Sequence, residues 1–86
     1  MRFRVSGHVQ GVCFRAATRS KALSLGLLGH ARNLQDGDVE VAAVGDATSI
    51  ASLEVWLRHG PALARVTGVS CEALDSLPTV DGFAIY

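Results

Sequence analysis

Polar and apolar residues alternate from Met1 to Gly7, with Phe3 and Val5 on one face, and this period of two predicts a half-buried strand. A glycine-flanked stretch follows, His8-Val9-Gln10-Gly11-Val12-Cys13, and from Phe14 the period lengthens. There an alanine-rich segment carrying Arg15, Arg19 and Lys21 sets Phe14, Ala17, Ala22 and Leu25 on one helical stripe. Gly26 is expected just past its end, where a left-handed residue closes many helices. Leu27 to Asn33 reads as a second strand, and Gln35-Asp36-Gly37-Asp38 as a turn, because Asp-Gly favours hairpins. Val39 to Val44 reads as the returning strand, apolar at 39, 41 and 43 with Glu40 facing out. A second helix, capped by Asp46, Thr48 or Ser49, runs through Ile50, Leu53, Trp56 and Leu57 until Gly60-Pro61 stops it. A strand over Ala64 to Leu74, a Ser-Leu-Pro loop at 76–78 and a short last strand from Phe83 to Tyr86 close the pattern.

The order β-α-β-β-α-β with an extra strand implies an α+β fold of the ferredoxin-like, split βαβ kind. Its expected form is an antiparallel sheet of four to five strands with two helices on one face. No repeat, linker or low-complexity tract divides it, so residues 1–86 are read as one domain. Apolar residues make up 49% of the 86, enough for a core without disulfides or metal. A chain this short still nets stability on the order of 5 kcal/mol, which leaves room for a single site. Eight Lys and Arg balance eight Asp and Glu, and the basic residues are scattered. A nucleic-acid binder needs a basic surplus on one face, so nucleic acid is not an expected partner. No apolar run approaches the roughly 18–20 residues of a membrane span, and MRFRVSG alternates where a signal peptide would be continuously apolar. Cys13 and Cys71 lack CxxC spacing and are read as reduced thiols of a cytoplasmic protein, expected to be monomeric.

The segment Gly7 to Arg15 carries the chemistry. A glycine-bearing loop that feeds straight into a helix can turn several main-chain N–H groups inward. The first helical N–H groups have no partner of their own, and the helix dipole is positive there, so such a hollow attracts an anion. Arg15 stands at the mouth of that helix, and its planar guanidinium offers paired donors to two oxygens of a phosphate. The loop is neither a Walker A loop, since no Gly-Lys-Ser/Thr follows, nor a dinucleotide fingerprint, since the G-x-G-x-x-G spacing is missing. On the residues alone, an ordinary tight connection with a solvated arginine stands beside the anion site.

GHVQGVCFR at 7–15 resembles the acylphosphatase signature, whose core is V-Q-G-V-x-F-R. The resemblance continues through Thr18, Ala22, Leu25-Gly26-Leu27, Gly29, Arg32-Asn33, Asp36-Gly37, Val39-Glu40 and Gly45, and resumes at Trp56-Leu57, Gly60-Pro61 and Ala64 to Val66. It implies hydrolysis of acyl phosphates, the mixed anhydrides of a carboxylate and phosphate. By position it assigns phosphate binding to Arg15 and placement of the attacking water to Asn33, the chain's only asparagine. It implies that main-chain amides of His8, Val9, Gln10, Gly11, Val12 and Cys13 cradle the phosphoryl oxygens. It implies no metal and no cofactor, with small-molecule acyl phosphate and inorganic phosphate as partners. The alternative is a domain that binds phosphate or carbamoyl phosphate without turnover; the two motif residues and the short chain favour the enzyme. A ferredoxin-like RNA-binding module is disfavoured, because Phe3 and Phe83 do not form the aromatic run that stacks bases.

Neighbouring residues take plainer parts. Arg32 adjoins Asn33 but points to the opposite face of a strand, so it is read as a solvated charge. His8 is read as a loop histidine, Cys13 as a small packing residue, and Trp56 as part of a core stripe. Thr18 is read as a support for the loop. His30 falls where relatives carry an aromatic or bulky residue, which bears on the shape of the pocket wall.

Overall fold

The N-terminal alternation becomes strand β1 (Arg2–His8) in the computed structural model, which describes residues 1–74 and 82–86. Helix α1 (Phe14–Ser24), strands β2 (Leu28–Asn33) and β3 (Val39–Val44), helix α2 (Ala47–His59) and strands β4 (Arg65–Glu72) and β5 (Phe83–Ile85) follow in that order. The Ser-Leu-Pro loop lies outside the described residues. The strands form one sheet in the order β4-β1-β3-β2-β5. Its first four members are antiparallel, with Phe3 opposite Val41 and Ala31 opposite Val41 from the other side. The fifth corrects the expectation of a purely antiparallel sheet. Strand β5 runs parallel to β2, pairing Gly29 with Phe83, His30 with Ala84 and Ala31 with Ile85, so the sheet is mixed.

One sheet face is apolar, as the period of two requires: Phe3, Val5, Ala31, Val39, Val41, Ala43 and Phe83 are buried beneath the helices. Helix α1 lies over β2 and β5, and α2 over β4 and β1. The buried stripe of α1 is Phe14, Thr18 and Ala22, with Ala17 and Leu25 at its half-buried margin. The helical period thus passes through a hydroxyl residue that its polarity would place outside. Trp56 of α2 packs against Phe14, with ring centroids 6.1 Å apart. Fully burying side chains such as Phe3, Phe14, Leu53 and Leu57 contributes about 1.5–3 kcal/mol apiece.

The helix ends follow their residues. After Leu25, Gly26 takes a positive φ of 74°, the Leu27 N–H donates to Ala22 O and the Gly26 N–H to Leu23 O, which together satisfy the last carbonyls of α1. Asp46 holds the first position of α2 without a side-chain bond to the helix amides; Ser49 Oγ donates to its carboxylate instead.

The other sheet face carries the charges, paired across strands. Arg2 Nε donates to Glu72 at 2.9 Å, Arg4 binds Asp38 at 2.7 Å and also Asp36, and Glu40 accepts from Arg32 at 3.0 Å and meets His30 at 3.1 Å. Exposed pairs of this kind contribute about 0–1 kcal/mol each. Their structural consequence is that Arg4 holds the β2–β3 turn against β1. The N–H of Asp38 closes that turn on the Asp36 carboxylate at 3.0 Å.

Burial pushes the Glu40 carboxyl up, but the hydrogen bond with His30 and the charges of Arg32, His30 and Arg2 outweigh it, and the group lies below its ordinary value of 4.5. A carboxyl depressed in the folded state stabilises the fold above the unfolded value and loses that contribution as pH falls through the folded one. Glu40→Gln is therefore expected to flatten the decline in stability below about pH 4.5, measured by urea unfolding across an acid series. Asp36, held low chiefly by the Asp38 N–H and then by Arg4, accounts for part of the slope that remains.

Candidate active site

The β1–α1 connection leaves the sheet through a bulge. The register of β1 with β4 slips between Ser6 and Gly7, and Gly7 takes a φ of 123°. A Cβ there would run into the Arg65 carbonyl, so only glycine lets the strand turn out at this point. Beyond the bulge, Val9 is buried and Val12 packs half-buried against the core, so the loop hangs from two apolar side chains while its main chain arches outward.

Gly11 adopts a φ of 74° and Cys13 a left-handed conformation at φ 60°, ψ 24°. Cys13 is the only non-glycine with positive φ among the described residues, and such a conformation costs on the order of 1–3 kcal/mol. It reverses the direction of successive peptide planes just before the helix. The first helical bond runs from Ala17 N–H to Cys13 O at 3.0 Å. Among the described residues, no main-chain N–H from Gln10 to Ala16 donates to a protein acceptor. A run of free N–H groups at the positive end of a helix makes a concavity for an anion.

Gln10 fixes that loop. Its side-chain amide donates to Leu34 O at 2.8 Å and to Asp38 O at 3.0 Å, tying the loop to the β2–β3 turn. Arg15 projects into a hollow of about 410 Å³ that Gly11, Cys13 and Phe14 also line, with Ile85 of β5 on the far wall. Among the described residues no acidic side chain pairs with Arg15. Its Nη1 donates to the main-chain oxygen of Tyr86 at 2.5 Å, which aims the guanidinium while leaving its other donors available.

The same Tyr86 oxygen accepts the Asn33 N–H at 3.3 Å. Arg15 and Asn33, far apart in the chain, thereby share one anchor. Asn33 ends β2 on the helix-facing side with Ala31, and its side-chain oxygen is buried without a protein partner. A buried acceptor left unsatisfied is uncommon and is enriched where a site expects a ligand or water. The hollow itself is lined by the loop, the start of α1 and Ile85, and Asn33 is not among its lining residues; its link to Arg15 is the shared Tyr86 oxygen.

The other sequence-derived positions fall as follows. Val9, Gln10, Gly11, Val12 and Cys13 form the arch, whereas His8 is the last residue of β1, exposed and opposite Arg65. Cys13 is exposed and free, as is Cys71, so Cys13 serves the loop by its backbone angle and does not pack. The Thr18 hydroxyl is buried in the α1 stripe with no hydrogen bond, so it does not brace the loop by one. Two participants were not singled out: the Gln10 side chain and Tyr86. Gln10, an amide between two inward-facing valines, carried a readable signal; a main-chain oxygen such as that of Tyr86 carries none. A second hollow, about 370 Å³ on the open sheet face, has its arginines Arg2 and Arg4 matched by Glu72, Asp36 and Asp38, so it offers an anion little.

Comparison with known proteins bears on the family and the fold. The acylphosphatase family profile matches residues 1–85. An acylphosphatase of Xanthomonas euvesicatoria is 54% identical over 80 residues, covering 93% of this chain and 91% of that protein. The structure of an acylphosphatase from Coxiella burnetii superposes with a TM-score of 0.91 at 41% identity, covering 99% of this chain and 88% of that one. The acylphosphatase of Bacillus subtilis superposes with a TM-score of 0.92 at 33% identity, covering 99% and 94%.

Removing the Gln10 amide leaves two turn carbonyls without that donor and frees the arch. Gln10→Ala is expected to lower the unfolding free energy by about 1–3 kcal/mol in urea titration and to weaken competitive inhibition by inorganic phosphate.

Proposed function

The chain belongs to the acylphosphatase family of hydrolases, its activity is hydrolysis of acyl phosphates, and we propose that Arg15 and the free amides of the arch from Gln10 to Cys13 hold the phosphoryl group while Asn33 places the attacking water. What supports this assignment is an arginine without an acidic side-chain partner beside a run of free main-chain N–H groups at one hollow, together with a buried, unpartnered side-chain oxygen on Asn33, whose main chain shares the Tyr86 acceptor with Arg15.

The chemistry needs little beyond those groups. Transfer of a phosphoryl group to water passes through a loose transition state with charge spread over three equatorial oxygens. The loop amides and the guanidinium meet that charge with donors already oriented, at no reorganisation cost during the reaction. Water attacks phosphorus in line with the departing carboxylate, the P–O bond to the acyl group breaks, and the products are a carboxylate, inorganic phosphate and one proton. A carboxylate is a good leaving group and requires no general acid. The Asn33 side-chain oxygen accepts a hydrogen bond from the water and so fixes its approach. The proton passes to a phosphoryl oxygen, since among the described residues no carboxylate side chain or histidine lines the hollow.

Small acyl phosphates acted on by a cytoplasmic monomer fit the rest of the molecule. The net charge is zero, both thiols are free, and among the described residues no helix is long and apolar enough to cross a membrane.

Arg15→Ala is expected to lower kcat/KM for benzoyl phosphate by at least about 100-fold, a loss of roughly 3 kcal/mol, with the thermal transition retained. Turnover near the wild-type rate would overturn its role. Asn33→Ala is expected to lower kcat while inorganic phosphate still inhibits competitively. Loss of phosphate inhibition with kcat preserved would reverse the two assignments.

A further inference from the structure

The open face of the sheet is a ladder of ion pairs whose members are covered to different degrees. His30 and Glu40 keep only 20% and 14% of their side chains exposed, against 51% for Arg32, although all three stand on that face. Tyr86 covers them. Its ring meets the His30 ring edge-on, with centroids 5.6 Å apart and planes inclined by 64°. The parallel register explains the meeting: His30 lies opposite Ala84, and the side chain two positions on, Tyr86, comes back to the same face within diagonal reach. On the β3 side His30 faces only Ala42, which leaves its ring room to lean, and its Nε2 lies 3.1 Å from Glu40 Oε1.

The residue that His30 supports is the one whose main chain organises the site. The Tyr86 N–H donates to Ala31 O at 2.9 Å, and its oxygen receives both Arg15 Nη1 and the Asn33 N–H. Strand β5 ends one residue earlier, so the position of that oxygen depends on two main-chain bonds to β2, at Ala31 O and the Asn33 N–H, and on what holds the Tyr86 side chain. A guanidinium aimed by one acceptor follows the acceptor when it moves, and displacement of about 1 Å at a phosphoryl site costs on the order of 100-fold.

We propose that His30, braced by Glu40, is a positioning residue for the phosphate arginine. Its ring holds Tyr86 so that the Tyr86 oxygen aims Arg15 across the hollow. The effect crosses the sheet from the charged face to the helix face through one residue. It falls on Arg15 more than on Asn33, because Asn33 is also fixed by its register with Val39.

This inference rests on the phosphate-binding role given to Arg15 and is tested beside it. KM and kcat for benzoyl phosphate and the inhibition constant of inorganic phosphate are measured for the wild type and for His30→Ala, His30→Phe and Arg15→Ala, with thermal melts of each. His30→Ala is expected to raise KM and the phosphate inhibition constant by about tenfold, with a smaller fall in kcat. His30→Phe, which keeps an aromatic edge for Tyr86, is expected to recover most of that loss, which a general loss of stability would not predict. If Arg15→Ala abolishes phosphate inhibition while His30→Ala stays within twofold of wild type, the positioning role is wrong and the site assignment stands. The role is equally overturned if His30→Phe is as impaired as His30→Ala. If Arg15→Ala leaves phosphate inhibition unchanged, the underlying site assignment is wrong and the inference falls with it.

Discussion

The Tyr86 oxygen is the constraint on which the site depends, because it joins groups that nothing else joins. Arg15 comes from the first turn of α1, Asn33 from the end of β2, and each donates to that one acceptor. A flexible arginine near a hollow would sample many directions, and holding it costs side-chain entropy on the order of 2 kcal/mol. One strong hydrogen bond recovers part of that cost in the ground state. Placing the acceptor on a main chain paired to β2 ties the aim to the sheet edge, where the Tyr86 side chain completes the hold. The short parallel strand β5 is therefore best understood by where it delivers an oxygen, since its three residues add little to the core beyond Phe83.

The phosphate arch imposes an opposite demand. Its N–H groups stay unpaired and Cys13 sits in a left-handed conformation, both unfavourable to folding. Two devices offset this. Val9 and Val12 commit their side chains to the core, and Gln10 replaces a ladder with two bonds to the carbonyls of the β2–β3 turn. That turn is itself held by Arg4 through Asp36 and Asp38. The charged sheet face thus steadies the arch from behind, although none of its residues approaches the hollow. The strain is local and the supports come from three other elements, as expected where binding geometry is kept at the expense of stability.

Legibility in the sequence followed the range of the interactions. Element order and type could be read from periodicity, because alternation at Phe3 and Val5 or at Val39, Val41 and Ala43 is a local property of burial on one face. Gly26 was legible for the same reason, since helix closure is decided within one turn. The full membership of the α1 stripe was not: Thr18, read as a support for the loop, is buried in line with Phe14 and Ala22. The direction of β5 was not legible either. A three-residue strand has no pattern that distinguishes a parallel partner from an antiparallel one, and its placement depends on β2. Arg15 and Asn33 were singled out through two motifs taken together, while the oxygen that joins them is main chain and leaves no trace in residue identity.

These limits explain why the two sheet faces looked independent from sequence. Alternation sorts residues into a buried set and a solvated set, and chemistry is then sought on the side that carries the motif. Backbone atoms belong to neither set. At Tyr86 the side chain lies with His30 on the charged face while the main-chain oxygen serves the helix face, so a contact on one side fixes a donor on the other. A sheet is thin enough, with strands about 4.8 Å apart and a single layer of peptide groups, for such coupling to need no moving part. In a domain this small the charged face can therefore tune the phosphate site without lining it, and substitutions there are not neutral merely because they lie behind the sheet.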